Sequence, residues 1–533
     1  MASRGPPTDR PAHTNFDSFP SFKETWKASL TEHAPALQDQ FPDYHVSDPE
    51  ASLVSASNVR SFHLGTGASI YTQILIPAII GAKHEVILVT CFWAPSPTLS
   101  ALKDALEKLA ENRRERIRAT GPDAGVLPPL KIRICFSSRS LFQKLFHTWS
   151  KDGYVYPPST WSKRLGLPSP EVLEAGRIDL RVKSLFFLPF SVMHPKFLVV
   201  DRERAFLPSC NVSWEVWLEG CVEITGGAVT GLVEFYRQVW DRQLEGQLNT
   251  RAGLHNESVR PPSLSELGLN SVEKPVNLYD TFLSNLTTPT VLLPSSHHQN
   301  PRFDPVPWHA NPLPPPTPLN CAILQLLDMA KHFIYMQTPN LTSAAVTDKL
   351  LEATKRGVNV AIVTSKRLML LEQLVTAGTT TSFCLRSLIR RYKKLEAEQS
   401  RLHSDEVIDV EAQRPRLGFL NIDYFRPDPE READCIEDQT AEEPVQSHLK
   451  LTLVDGQYVV LGSGNMDRAS WFTSQELGIM FSSKEIATAV GTAVGNVLSG
   501  RREPVFSSAT ASDIVEQELI QDNFTGQNHR NNG

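Results

Sequence analysis

Two segments of the chain carry the same polar residues at the same intervals. MHPKFLVVDRERAFLPSCN holds His194, Lys196, Asp201 and Asn211, and SHLKLTLVDGQYVVLGSGN holds His448, Lys450, Asp455 and Asn465. His to Asn is 17 residues in both. These types suit one chemistry. A phosphodiester carries a negative charge that repels nucleophiles, and ammonium and amide donors neutralise and position it. Neutral imidazole is a good nucleophile at phosphorus near neutral pH, and its cation is a good acid for the leaving oxygen. Two histidines divide those roles, and a covalent phosphohistidine splits one displacement into two, released by water or by an alcohol.

The spacing indicates how such groups meet. HLKLTLV alternates as a strand, which puts His448 and Lys450 on one face. Asp455-Gly456 is a strong two-residue hairpin signal. Closed that way, Val454 pairs with Gln457, Lys450 with Leu461 and His448 with Ser463, and Asn465 follows on the same face. The first motif folds alike, with Ser209 opposite His194. Ser209, Asn211, Ser463 and Asn465 are therefore expected to bind phosphate. Asp201 and Asp455 belong to the repeated motif, but they fall in the turn, out of phase with the histidines, so their part is structural. Glu219 and Glu476 follow the motifs and are candidates to hold a far ring nitrogen and so fix its tautomer. Glu223 is a rival for Glu219.

Each motif needs a scaffold, and the chain supplies the same one twice. AKHEVILVTCFWAPSPTLSALKDALEKLAE, from Ala82, and AKHFIYMQTPNLTSAAVTDKLLEATKRG, from Ala330, each open Ala-Lys-His, run apolar, turn at proline and enter a helix. In the first helix Leu99, Leu102, Ala105, Leu106 and Leu109 recur at helical spacing. KIRICF and VNVAIVTS follow as further strands, the signature of an α/β unit on a sheet. NPLPPPTPLN, residues 311–320, reads as a connector. The expected division is a loosely ordered head over 1–61 with one weak helix, a first domain over 62–245, a Pro-rich connector over 246–318, a second domain over 319–500 and a disordered tail over 501–533.

The paired HxKxxxxD with a trailing GSxN resembles the phospholipase D superfamily, and within it the cardiolipin synthase or phosphatidyltransferase branch. GSGNMDRASWFTSQELGIMF is similar to that branch's "GSxNxDxRS…NxE" segment, KLLEATKRGVNVAIVTS to its "LxxAxxRGVxVxII" stretch, and WLEGCVEITG, from Trp217, to its "WxDxxVxIxGP" stretch. The likeness covers roughly residues 62–500. It implies an α/β fold of two tandem, pseudo-twofold domains, each a mixed sheet flanked by helices, sharing one site. It counts both aspartates in the catalytic set with the histidines, lysines and glutamates, and makes His194 the nucleophile and His448 the acid/base. It further implies a hydrolase or transferase of lipid metabolism that meets its phospholipid at a membrane surface, with an alcohol or water as acceptor. The sequence departs from the pattern where the first GSxN reads Pro208-Ser209-Cys210-Asn211.

The totals set limits on rival readings. A net charge of −6 and the acidic stretch PDPEREADCIEDQTAEEP before the second motif make nucleic acid an unlikely substrate. A nucleic-acid phosphodiesterase of the same superfamily is the nearest alternative, and a non-catalytic scaffold the other. Lysine and histidine stand where a two-metal enzyme would cluster carboxylates, so no metal or cofactor is expected. Seven cysteines without CxxC pairing fit a reducing, intracellular compartment. The first residues lack the apolar core of a secretory signal, and the longest apolar run is broken by Lys83, His84 and Glu85, so membrane contact is expected to be peripheral. Trp214 and Trp217 read as core packing, with an acyl or headgroup groove as the alternative. Arg113, Arg114, Arg116 and Arg118 read as a loop insertion, and LRSLIRRYKK as a solvated helix face, with contact to anionic lipid headgroups as the alternative.

Overall fold

The computed structural model describes residues 18–119, 127–139, 151–187, 191–242, 244, 279–282, 287–296, 313–405, 416–431 and 442–508. Its centre is one mixed sheet that contains the same strand order twice. In the first half Ile178–Ser184, Leu130–Ser138 and Glu85–Phe92 run parallel. Phe197–Val200, Arg204–Pro208, Trp217–Gly226 and Val54–Thr66 then follow in antiparallel succession. In the second half Leu420–Phe425, Asn359–Thr364 and Phe333–Thr338 run parallel. Leu451–Val454, Tyr458–Gly462, Glu476–Ser482 and Thr287–Ser295 then follow antiparallel. Val54–Thr66 and Thr287–Ser295 pair with each other and join the halves. Along this seam Ser61, His63 and Asp280 form a hydrogen-bonded row, with Ser61 and His63 closed to solvent.

Helices Pro97–Ala119 and Ala344–Lys355 make the crossovers between the parallel strands. The five apolar residues picked out by spacing in the first of them are all buried. The arginine cluster lies on this same helix, not in a loop. Arg113 is buried and donates to the carbonyls of Gly176 and Pro128. Helices Gly227–Val239 and Lys484–Leu498 follow the two glutamate-bearing strands.

The expected domain boundaries cut through this sheet. Residues 18–61 are not a loose head. Phe22, Trp26 and Leu30 of helix Ser18–Glu32 are buried, and the Trp26 indole donates to the Pro318 carbonyl. The seam strand begins at Val54, inside the head. The connector likewise contains core structure, since Thr287–Ser295 pairs on both edges. Past residue 500, Arg502–Ser507 pairs with Leu420–Phe425, and 509–533 lie outside the described residues. So does much of the acidic stretch. Its Glu443 is buried in an ion pair with Arg501.

The turns that close the motif hairpins hold three residues, not two. Val454 pairs with Tyr458 and Leu451 with Leu461, and Val200 with Arg204. Asp455 and Gly456, like Asp201 and Arg202, take positive φ. This geometry turns each aspartate back on its own sheet. The Asp455 carboxylate accepts from the amides of Lys331, His332 and Phe333 at 2.8–2.9 Å. Asp201 accepts from Lys83, His84 and Glu85 at 2.7–2.9 Å. The repeated Ala-Lys-His is thus the backbone cradle of the repeated aspartate. Both carboxylates are taken up by backbone amides rather than by a motif imidazole, which favours the structural reading. Asp455→Ala is expected to cost about 2–3 kcal/mol, since charge-assisted bonds to three amides go. Chemical denaturation would read this, with kcat per folded molecule falling less than tenfold, near 1.4 kcal/mol of barrier.

Candidate active site

The two histidines reach one place because each half pairs its backbone with the other. Gln446–Ser447, just ahead of His448, runs parallel to Trp217–Leu218 of the first half. The His448 amide donates to the Leu218 carbonyl at 2.8 Å. In the mirrored contact Met193 bridges to Gln475, and the His194 amide donates to the Gln475 carbonyl at 2.9 Å. Each histidine therefore lies beside the first residues of the other half's glutamate strand.

The side chains cross accordingly. His194 Nδ1 lies 2.8 Å from Glu476 Oε2, and His448 Nδ1 lies 2.9 Å from Glu219 Oε1. Both glutamates were foreseen as imidazole partners, but the spacing gave no sign that they serve the opposite motif. The rival Glu223 is engaged by Arg204 at 2.9 Å. With Nδ1–H donated to a carboxylate, each ring presents its Nε2 lone pair. His194 is the more accessible, its side chain 13% exposed against 3% for His448. Trp217 lies against the His448 ring, centroids 4.8 Å apart. This tryptophan is half-buried and Trp214 is exposed, so neither is the core residue the sequence suggested.

The lysines fold back to their own histidines. Lys196 Nζ donates to the His194 carbonyl at 3.0 Å, and Lys450 Nζ to that of His448 at 2.7 Å. Burial pushes Lys450 down to about 7. Burial also lowers His194 and takes His448 down to about 4, against the pull of their glutamates. Burial alone would raise the two carboxyls, but the facing imidazoles and the hydrogen bonds hold them below their usual range. The resting site thus pairs neutral imidazoles with carboxylates, beside two amines that are poised for an anion.

The serines were expected on phosphate and are found elsewhere. Ser209 Oγ donates to Glu219 and accepts from the Gly220 amide. Ser463 Oγ donates to Glu476 and accepts from the Leu477 amide. The three-residue turn shifts the register by one, which takes the serines off the positions opposite the histidines and onto the glutamates. They orient the carboxylates instead. Asn211 anchors through its oxygen on the Phe92 amide, and Asn465 donates to Asp467. The Pro208 departure is a local backbone difference. Its counterpart Gly462 has φ 149°, where a Cβ would meet the Leu477 carbonyl at 2.4 Å, a conformation proline cannot adopt.

Residues 323–494 match the family model described as cardiolipin synthase, phospholipase D-like domain. Over those residues the chain carries a phospholipase D-like domain. No curated protein matches it. Among solved structures, the phosphatidylserine synthase of Haemophilus influenzae Rd KW20 is similar at 12% identity and a TM-score of 0.48, over 93% of this chain and 98% of that one. The phospholipase D family member Nuc from Salmonella typhimurium aligns at 17% identity and a TM-score of 0.24, over 35% of this chain and 90% of that one. Polyphosphate kinase from Porphyromonas gingivalis aligns at 10% identity and a TM-score of 0.37, over 79% and 47%. The matched phospholipase D-like domain contains the second motif and Glu476; the first motif and Glu219 lie outside it. Among the described residues no helix is long and apolar enough to cross a membrane.

Proposed function

We propose that this chain is a phosphodiesterase or phosphatidyltransferase acting on phospholipids through a phosphohistidine on His194, with His448 as acid and base. The observation that carries this reading is the crossed pair of buried imidazole–carboxylate contacts. It supports two Nε2 atoms from opposite halves as the reacting groups. The greater exposure of His194 supports it as the nucleophile. The phosphodiester binds between the amines of Lys196 and Lys450, and its negative charge raises the proton affinity of the imidazoles, so His448 takes up a proton with the substrate. His194 Nε2 attacks phosphorus, the bond to the leaving oxygen breaks, and His448 Nε2–H gives that oxygen its proton. Water or an alcohol then loses its proton to His448 and attacks phosphorus, and the P–N bond breaks.

The test is a quenched reaction followed by digestion and mass mapping. The adduct is expected on His194, with configuration at phosphorus retained because two inversions cancel. His448→Ala is expected to accumulate adduct from a substrate with a good leaving group, and His194→Ala to form none. Label on His448 alone would exchange the two roles. Inversion without any adduct would replace the covalent path with direct attack by water. Parallel assays on phosphatidylglycerol, phosphatidylcholine and single-stranded DNA test the substrate class.

A further inference from the structure

Helix Leu370–Ala377 is built inside out. The buried residue in it is polar: Gln373 donates to the Leu368 carbonyl and accepts from the Thr381 amide and hydroxyl. Its apolar residues face solvent, Leu371 at 76% exposure, Leu374 at 50% and Val375 at 47%, with Leu370 beside them and Phe383 at 61% on the next helix. These make five of the ten large hydrophobic side chains exposed among the described residues. A contiguous apolar patch of this kind marks a docking surface.

The patch has a charged border. Residues 366–394 hold seven Lys or Arg against one Glu, in a chain whose net charge is −6. Lys366, Arg391 and Lys394 are engaged in ion pairs. Arg367, Arg386 and Arg390 are exposed, and the Arg386 guanidinium lies over the Phe383 ring. An apolar ridge with arginines around it matches a bilayer whose headgroups are anionic.

Its place in the fold is specific. Ser365, ahead of the helix, exchanges hydrogen bonds with Ser447, the neighbour of His448. Thr381, after it, accepts from the amide of Leu341, which bridges to Met466 beside Asn465. The patch therefore stands at the end of the sheet where the histidines meet. Exposed Val445 and Trp214 flank the same approach, Val445 through its amide bond to the Val216 carbonyl.

We propose that the Leu370–Val375 face, with Phe383 and its bordering arginines, docks on an anionic lipid bilayer and sets the histidine pair against the membrane. The proposal rests on the reading of a phospholipid substrate and adds the surface through which that substrate is met. The full chain is mixed with sedimenting vesicles of phosphatidylcholine alone or blended with phosphatidylglycerol, and the bound fraction is measured without turnover. Wild type is expected to bind the blended vesicles, less in high salt. Leu371→Ser with Leu374→Ser is expected to weaken binding about tenfold or more, as is Arg386→Glu with Arg390→Glu. Both variants keep the wild-type circular dichroism and turn over a soluble short-chain phosphodiester at the wild-type rate, since they alter exposed positions.

Failure of wild type to bind either vesicle overturns the proposal. Undiminished binding by both variants does the same. So does a dimeric wild type that the serine variant turns into a monomer by light scattering, which assigns the face to a second copy. Vesicle binding through this face without phospholipid turnover leaves the proposal standing and overturns the substrate reading instead.

Discussion

Replacing either His194 or His448 by alanine is expected to lower steady-state turnover by about 10⁴- to 10⁶-fold, and combining the two to lower it little further, because residues that act as a unit are non-additive. The physical basis is the crossed backbone pairing. Met193 to Gln475 and Leu218 to Ser447 tie the two histidine segments to opposite halves of one sheet. The electrostatic surroundings agree, since His194 and His448 each feel both Lys196 and Lys450. One imidazole without the other leaves either no nucleophile or no acid for a poor leaving alkoxide. Activity within a hundredfold of wild type in either single variant would mean two independent sites, and so would losses that multiply in the double variant. Denaturation midpoints close to wild type would exclude unfolding as the cause.

Glu476→Gln and Glu219→Gln are expected to lower turnover by about 10²- to 10⁴-fold each, the range for losing a carboxylate that orients a catalytic imidazole. The crossing makes their consequences different in kind. Glu476 holds His194, so its amide variant should form adduct slowly even from an activated substrate. Glu219 holds His448, so its variant should form adduct from that substrate at a near-normal rate and release it slowly. Rapid-quench measurement of adduct against time separates the two. The opposite assignment of slow steps would exchange the nucleophile and acid/base roles of the two histidines.

Much of this site could be read from residue types and intervals. The repeated Ala-Lys-His, the equal His to Asn spacing and the two trailing glutamates named both halves and most of the polar cluster. The hairpin register was misplaced by one because Asp-Gly favours a two-residue turn. Here the aspartate carboxylate is held by three amides of a neighbouring strand, and that tertiary demand opened the turn. The serines moved with the register. The crossing of the glutamates was invisible for another reason: Glu476 and His194 are 282 residues apart, and no local pattern encodes which of two equivalent partners is met. The buried first helix had left a signal in Phe22, Trp26 and Leu30 at intervals of four, outweighed by the polar residues around them. The seam strands escaped notice because VSASNVRSFHLGT is mostly polar and TTPTVLLPS carries two prolines.

The crossed glutamates also bear on the life of the chain before it is finished. During synthesis the first motif emerges complete with its lysine, serine and asparagine, yet its imidazole has no carboxylate until residue 476 has left the ribosome and Glu476–Ser482 has found Thr287–Ser295. On the proposed mechanism, a nascent or truncated product that carries the first motif alone is expected to be chemically silent. By that mechanism reactivity requires the pairing of Glu476–Ser482 with Thr287–Ser295, so the appearance of activity doubles as a report that both halves have folded against each other.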